Sequence, residues 1–189
     1  MSDAISAAVD EVLGVLAASE AQDYIGEAVS QLEHALQCAH FARQSRADDE
    51  VVLAALMHDI GHLLDPDAPS MDGLGVIDHE RLGADFLRAR GFSETVARLV
   101  QGHVQAKRYL TYAKPSYAAR LSSASRGTLD WQGGPMSAQE AHIFESDPLF
   151  KTILALRTWD ERAKEVDLEV SGLGAYRGPM EAHLRRVET

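Results

Sequence analysis

The run Ala55–Leu64, "ALMHDIGHLL", sets His58, Asp59 and His62 within five positions on an apolar background. On a helix, residues four apart share a face, so His58 and His62 are expected to point the same way, with Asp59 one step round. Burying an aspartate is costly unless donors or a cation compensate it. A hydrogen-bonded core carboxylate and a metal ligand are the two ways to meet that cost. Similar groups recur along the chain. His34 follows Leu32, His79 opens a helix, His103 lies inside "LVQGHVQAKRYL", and Asp160 stands four residues after Leu156 in "LRTWDERAKE". Any one of these alone reads as a satisfied polar residue of a core. Six such positions spread over separate helices call for a common partner. Imidazole and carboxylate donors suit zinc, iron, manganese or nickel. Six donors exceed one tetrahedral zinc set. They fit two metals sharing one carboxylate, with the adjacent His58-Asp59 pair as the natural bridge.

The elements that must position these groups are helical throughout, since no segment sustains strand alternation. Ile5, Val9, Val12, Leu13 and Leu16 form the stripe of a first helix. Leu32, Ala35, Leu36 and Ala39 mark a second, expected from about Glu27 to Ser45. Asp48 or Asp49 caps a third that contains the histidine-rich run. Leu82, Phe86 and Leu87 mark a fourth, stopped by Gly91, and Ser93 opens a fifth over Glu94 to Lys107. The stretch "KPSYAARLSSASRGTLDWQGGPM" predicts short helices and a Gly-Gly-Pro turn. Ser137 with Glu140 is a capping box, Asp147-Pro148 opens a late helix, and a last helix begins near Pro179. The expectation is an all-α helical bundle forming a single domain over residues 1–189, without repeats or linkers.

Composition narrows the partners. With 18 Lys+Arg against 29 Asp+Glu, the formal net charge is -11, which disfavours nucleic acid and anionic membranes. An anionic ligand would need a local basic pocket. Cys38 is the single cysteine, so neither an internal disulfide nor a thiolate metal cage is available, and it reads as a small buried residue. The first residues, "MSDAISAAVDEVLGVLAASE", are acidic and lack the basic leader of a signal peptide. The longest apolar run, Val51 to Met57, is far too short to span a bilayer. A cytoplasmic protein is expected.

With the spacing His34…His58-Asp59…His79…His103…Asp160, the sequence resembles the HD-domain superfamily, whose signature is a spaced His…His-Asp…Asp. It is closer to the branch with a mixed-valent diiron centre, to which myo-inositol oxygenase belongs, than to the phosphohydrolases that dominate the superfamily. Within that branch it resembles the phosphonate-cleaving oxygenases of 2-amino-1-hydroxyethylphosphonate. The resemblance runs from "DYIGEAVSQLEHALQCAHFA" through "ALMHDIGHLL", "GFSETVARLVQGHVQAKRYL" and "SSASRGTLDWQGGPM" to "LRTWDERAKEVDL". It implies two iron ions, Fe(II) and Fe(III), with dioxygen as co-substrate. His34, His58, Asp59 and Asp160 would hold one iron, and His79, His103 and the shared Asp59 the other.

The resemblance also implies how substrate is held. Tyr24 and Glu27 lie in "DYIGEA", the segment that by this resemblance covers the second iron. Tyr24 would occupy the open position before substrate arrives, and Glu27 would face a substrate ammonium. His62, Lys107, Ser125, Thr128, Gln132 and Arg157 would receive the phosphonate. Lys107 lies four residues after His103 and Arg157 three before Asp160, so helical spacing puts both on the metal side. Arg108, Arg126 and Lys164 read as solvated surface charges, and His40, His142 and His183 receive no role. Met71, Asp72 and Ile77, in the loop before His79, are candidates to line the pocket around the amine. The implied reaction is C–P bond cleavage to phosphate and glycine, or glycine betaine if the amine is trimethylated. The rival reading is a metal-dependent HD phosphohydrolase acting on a nucleotide or phosphate ester. A non-enzymatic regulatory module would be expected to have lost ligands, and all six are present.

Overall fold

The computed structural model describes residues 2–24 and 26–188. Its helices are α1 (Ser2–Ala17), α2 (Gln31–Gln44), α3 (Asp49–Met57), α4 (His79–Ala89), α5 (Glu94–Ala113), α6 (Pro115–Arg120), α7 (Ser123–Trp131), α8 (Ala138–Glu145), α9 (Phe150–Arg162) and α10 (Arg177–Val187). Short 3-10 turns occupy Ile60–Leu63 and Leu173–Tyr176. Among the described residues there are no strands, only isolated bridges joining Asp23 to Ser30 and Ser70 to Val76. The expected all-α bundle is what forms.

Local chemistry sets the helix starts. Ser30 and Glu33 make a reciprocal capping box, which fixes the first residue of α2 at Gln31 rather than near Glu27. Gly26, at φ +77°, turns the preceding segment away from the helical path. Tyr24 and Glu27 therefore lie in a loop before α2. Ser93, Ser122 and Ser137 cap α5, α7 and α8, each hydroxyl accepting the N–H three residues on, and Ser137 with Glu140 repeats the reciprocal box. The Asp147 carboxylate accepts from the Leu149 N–H at 2.8 Å, and α9 starts at Phe150, two residues beyond Pro148. At the other end, α10 begins at Arg177, ahead of Pro179, and α5 continues past Lys107 to Ala113.

One buried apolar cluster connects these helices, from Ile5 and Val9 on α1 through Leu53, Leu56 and Leu99 to Leu156 and Leu184. Within it α2 packs on α3 and α9, while α5 lies against α3, α4 and α9. Cys38 is fully buried there, as expected. None of the described helices is long and apolar enough to cross a membrane.

The histidine-rich run departs from simple helical reading. Helix α3 ends at Met57, and His58-Asp59 occupy the break before the 3-10 turn. His58 and His62 therefore do not share a face. His58 turns inward among the ligands, while the His62 ring stacks on that of His79, centroids 3.8 Å apart. Gly61 makes this possible. A Cβ at that position would sit 1.9 Å from the His79 carbonyl oxygen, so only glycine lets the turn approach the start of α4.

Candidate metal centre and adjoining pocket

The six candidate ligands read from the sequence come together where α2, the break after α3, and α4, α5 and α9 converge. His34, His58, His79, His103 and Asp160 are all buried, and Asp59 exposes 12% of its side chain. The Nε2 atoms of His34 and His58 lie 3.1 Å apart, with Asp59 Oδ2 at 3.6 and 3.3 Å from them and Asp160 Oδ1 at 3.4 and 3.8 Å. On the other side of Asp59, the Nε2 atoms of His79 and His103 are also 3.1 Å apart. Asp59 Oδ1 stands 3.5 and 3.3 Å from these two. The two clusters thus use different oxygens of one carboxylate, and each gathers three or more donors around one point.

The tautomers show what such clusters require. Each Nδ1 meets a backbone carbonyl: His34 that of Ala163 at 2.8 Å, His58 that of Ala55 at 2.8 Å, His79 that of Val76 at 3.3 Å and His103 that of Val100 at 2.6 Å. A carbonyl only accepts, so Nδ1 carries a proton, and in the neutral ring Nε2 presents its lone pair to the cluster. Two imidazole nitrogens at 3.1 Å need a shared proton or a metal cation between them. The donor set therefore fits two divalent or trivalent metal ions of the imidazole-carboxylate class, with the orienting carbonyls that metal-bound histidines ordinarily have.

Beside the clusters lies a cavity of about 70 Å³, lined by Tyr24, Glu27, His62, Lys107, Ser125, Thr128, Gln132 and Arg157 as well as by Asp59, His79, His103 and Asp160. All eight sequence-derived substrate residues thus reach one pocket. Lys107 is buried and donates to Thr128 Oγ1 at 2.6 Å. Burial, reinforced by the nearby Arg157 cation, pulls its ammonium down to about 7 against the attraction of Asp160, Asp59 and Glu80. His62 Nδ1 accepts the Val76 N–H at 2.9 Å, which leaves Nε2–H as its donor. Burial pushes the imidazolium of His62 down to about 4, so the ring is neutral near pH 7. Gly75, at φ +110°, keeps the loop close enough to hold it, because a Cβ there would lie 2.6 Å from the imidazole. Gln132 Oε1 is buried without a hydrogen-bond partner. The Tyr24 ring stacks on His34, a candidate ligand of the first metal, although its segment was expected to cover the second; the centroids are 3.8 Å apart and the planes 12° from parallel. Burial, then Asp59 and Asp160, raises its phenol well above the usual range, so the hydroxyl keeps its proton unless a cation draws it off.

Arg157 is more committed than its spacing suggested. Its guanidinium donates to Asp160, to Glu161 and, at 2.9 Å, to the Tyr117 hydroxyl. Burial would raise the Asp160 carboxyl, but Arg157, His34 and His58 outweigh it and hold the group well below the usual carboxylate range. Lys164 is a correction: it is no solvated surface charge but lines the pocket and pairs with Glu27 at 2.7 Å. Spacing missed it because α9 ends at Arg162 and the chain turns at Ala163 before Lys164 crosses to the loop. Arg108 is also half-buried, tying Gly134 and Glu140 together, and Arg126 donates to the Leu121 carbonyl. His183 is a satisfied core histidine that accepts from the Ser93 N–H. Of the loop candidates, Met71 lines the cavity together with Leu74, whereas Asp72 and Ile77 do not.

These features have known counterparts. The HD domain family matches residues 32–130, a span holding five of the six ligands and ending before Asp160. The chain belongs to the HD-domain family, as an enzyme of its oxygenase branch. It is 43% identical over 149 residues, 78% of this chain and 76% of the relative, to [1-hydroxy-2-(trimethylamino)ethyl]phosphonate dioxygenase (glycine-betaine-forming) of Leisingera caerulea. To hydroxymethylphosphonate dioxygenase of Gimesia maris it is 41% identical over 165 residues, 86% of this chain and 82% of the relative. An uncharacterized protein of Acanthamoeba polyphaga mimivirus is 42% identical over 164 residues, covering 86% and 75% of the two chains.

Proposed function

We propose that this chain is a diiron oxygenase that cleaves the C–P bond of a 1-hydroxyphosphonate. The expected substrates are 2-amino-1-hydroxyethylphosphonate, giving phosphate and glycine, and its trimethylated analogue, giving glycine betaine. The observation that carries this reading is the pair of Nε2 clusters on opposite oxygens of Asp59, opening onto one pocket with Lys107 and His62. Two relatives named as phosphonate dioxygenases support it.

His34, His58, Asp59 and Asp160 would hold one iron, and Asp59, His79 and His103 the other. When bound, the pair supplies Lewis acidity and the redox capacity to activate dioxygen. The chain's own residues do the rest. Lys107 and the Nε2–H of His62 provide charge-assisted and neutral donors for phosphonate oxygens, and Thr128 holds the Lys107 ammonium in place. Ser125, Gln132 and Arg157 complete the polar wall. Tyr24, lying over His34, shields the first cluster from water until substrate enters. Glu27 would meet a cation on C2. The pocket's contribution is thus to orient C1 and exclude solvent.

Overall, the C1–H and C1–P bonds break, carbon gains one oxygen atom and phosphorus the other. One dioxygen gives one carboxylate and one phosphate, with no external reductant. Oxygen uptake and phosphate release, measured together on iron-loaded protein with 2-amino-1-hydroxyethylphosphonate, its trimethylated analogue and hydroxymethylphosphonate, should be equal. Phosphate release from an ester without oxygen uptake would instead establish the phosphohydrolase.

A further inference from the structure

We propose that Lys164 determines the selectivity of this site by competing with a substrate cation for Glu27; the proposal rests on the phosphonate reading above. Lys164 Nζ and Glu27 Oε1 are 2.7 Å apart, and the two side chains are only 17% and 18% exposed. Both line the cavity next to the metal clusters. The ammonium also stands 5.8 Å from the centre of the Tyr24 ring, which itself lies on His34. A lysine ammonium thus already occupies the carboxylate that a substrate ammonium would use.

The backbone holds Lys164 at this post. Helix α9 closes at Ala163, whose carbonyl accepts the Nδ1–H of His34, and the next residue is Lys164. Its N–H donates to the Arg162 carbonyl at 2.7 Å. The base of the side chain is therefore anchored beside a metal ligand, and the four-carbon stem reaches from there to Glu27.

Competition follows from charge and donor chemistry. A primary ammonium on C2 offers the same three donors as Lys164 and can replace it at Glu27. To do so it must break an existing ion pair and expel a cation from a mostly closed pocket. A substrate with no charge beyond C1 leaves the pair intact. Glu27 alone would favour cationic substrates strongly, and Lys164 reduces that preference. It also holds the Glu27 carboxylate when no substrate cation is present.

The test compares anaerobic affinities of iron-loaded protein for 2-amino-1-hydroxyethylphosphonate and hydroxymethylphosphonate by calorimetry. Lys164→Met should shift the affinity ratio towards the cationic compound by roughly fivefold, the scale of a partly exposed ion pair. Glu27→Gln should shift it the other way, and in that background Lys164→Met should no longer move it. Lys164→Arg, which keeps the pair, should stay near the wild type. An unmoved ratio in Lys164→Met, or a shift that persists without Glu27, overturns the proposal. Wild-type protein that binds neither phosphonate overturns the functional reading first, and the proposal with it.

Discussion

Arg157 and Asp160 form a buried ion pair one turn apart on α9, and Asp160 directs its other oxygen to His34 Nε2 at 3.4 Å. The guanidinium is itself held by Glu161 and Tyr117. Arg157 thus stands behind a proposed metal ligand as well as beside the pocket. Helical spacing alone would assign it to anion binding, with metal content independent of it.

The pair predicts the opposite. Arg157→Met leaves the Asp160 carboxylate buried without its cation, a loss of about 3–5 kcal/mol of stability for this kind of pair. Metal content should fall along with thermal stability. Lys107→Met, which removes a cation that touches Thr128 and no ligand, should retain full metal. Elemental analysis of the two purified variants decides it, and equal metal in both would mean that Asp160 needs no help from Arg157.

A second prediction concerns the bridge. Asp59 offers Oδ2 to His34 and His58, and Oδ1 to His79 and His103. Asp59→Ala should therefore lower occupancy of both clusters, while His79→Ala should empty chiefly one. Two metals per chain in the Asp59 variant would sink the shared-carboxylate arrangement. Because the clusters exist only in the folded chain, metal bound there stabilises it, and chelation should lower the melting temperature. Metal at about a hundredfold above its Kd should restore about 2.7 kcal/mol.

The clustering of the six histidines and aspartates was legible because metal chemistry restricts residue type, and helical period puts most of those residues on inward faces. Asp160 needed only its spacing from Leu156, and His34 and His103 stood out as imidazoles inside apolar-periodic stretches. What spacing could not give was the geometry at helix ends. His58 and Asp59 act from the break after α3, and His62 leaves their face because the chain tightens into a 3-10 turn there. Tyr24 and Glu27 belong to a loop whose limits are set by the Ser30 cap, not by apolar period. Lys164 was hidden for the same reason, since it lies past the end of α9, where side-chain direction no longer follows a helix. Its partner is 137 residues away in sequence, and no local rule connects the two.

Gly61 supplies a third prediction. The His79 carbonyl oxygen would lie 1.9 Å from a Cβ at that position, and the Gly83 nitrogen 2.9 Å. Both are backbone atoms, so relief requires moving the start of α4. Gly61→Ala should cost at least about 1–3 kcal/mol of stability, as overpacking does. It should also displace His79 relative to Asp59 and His103. The metal bound by that trio should weaken more than the metal held by His34, His58 and Asp160, which sit on other elements. Equal loss at both sites in metal titrations would count against this local account.

The last prediction turns on the charge of Lys107. Burial and Arg157 bring its ammonium down to about 7, so in the empty pocket it is mainly charged below neutral pH and increasingly neutral above. Phosphonate binding favours the charged form, because the anion gains a charge-assisted hydrogen bond only from the ammonium. As pH rises, binding must therefore include uptake of a proton, and the advantage of Lys107 shrinks. The sign follows directly: affinity contributed by Lys107 is greatest in acid and declines through neutrality. The ligand's own second ionisation acts in the other direction, but it is common to every variant and cancels in a ratio. The wild type should bind about ten- to a hundredfold more tightly than Lys107→Met at low pH, the range for a bond to a charged group. From about pH 7 upwards that ratio should fall by up to roughly tenfold per unit, approaching one by about pH 9. Lys107→Arg carries a charge that is not lost over this range, so its advantage over Lys107→Met should stay nearly constant. Anaerobic calorimetry across the range provides the measurement. A wild-type advantage that holds flat to the alkaline end would mean that Lys107 remains charged, and that its burial is compensated more fully than its neighbours allow.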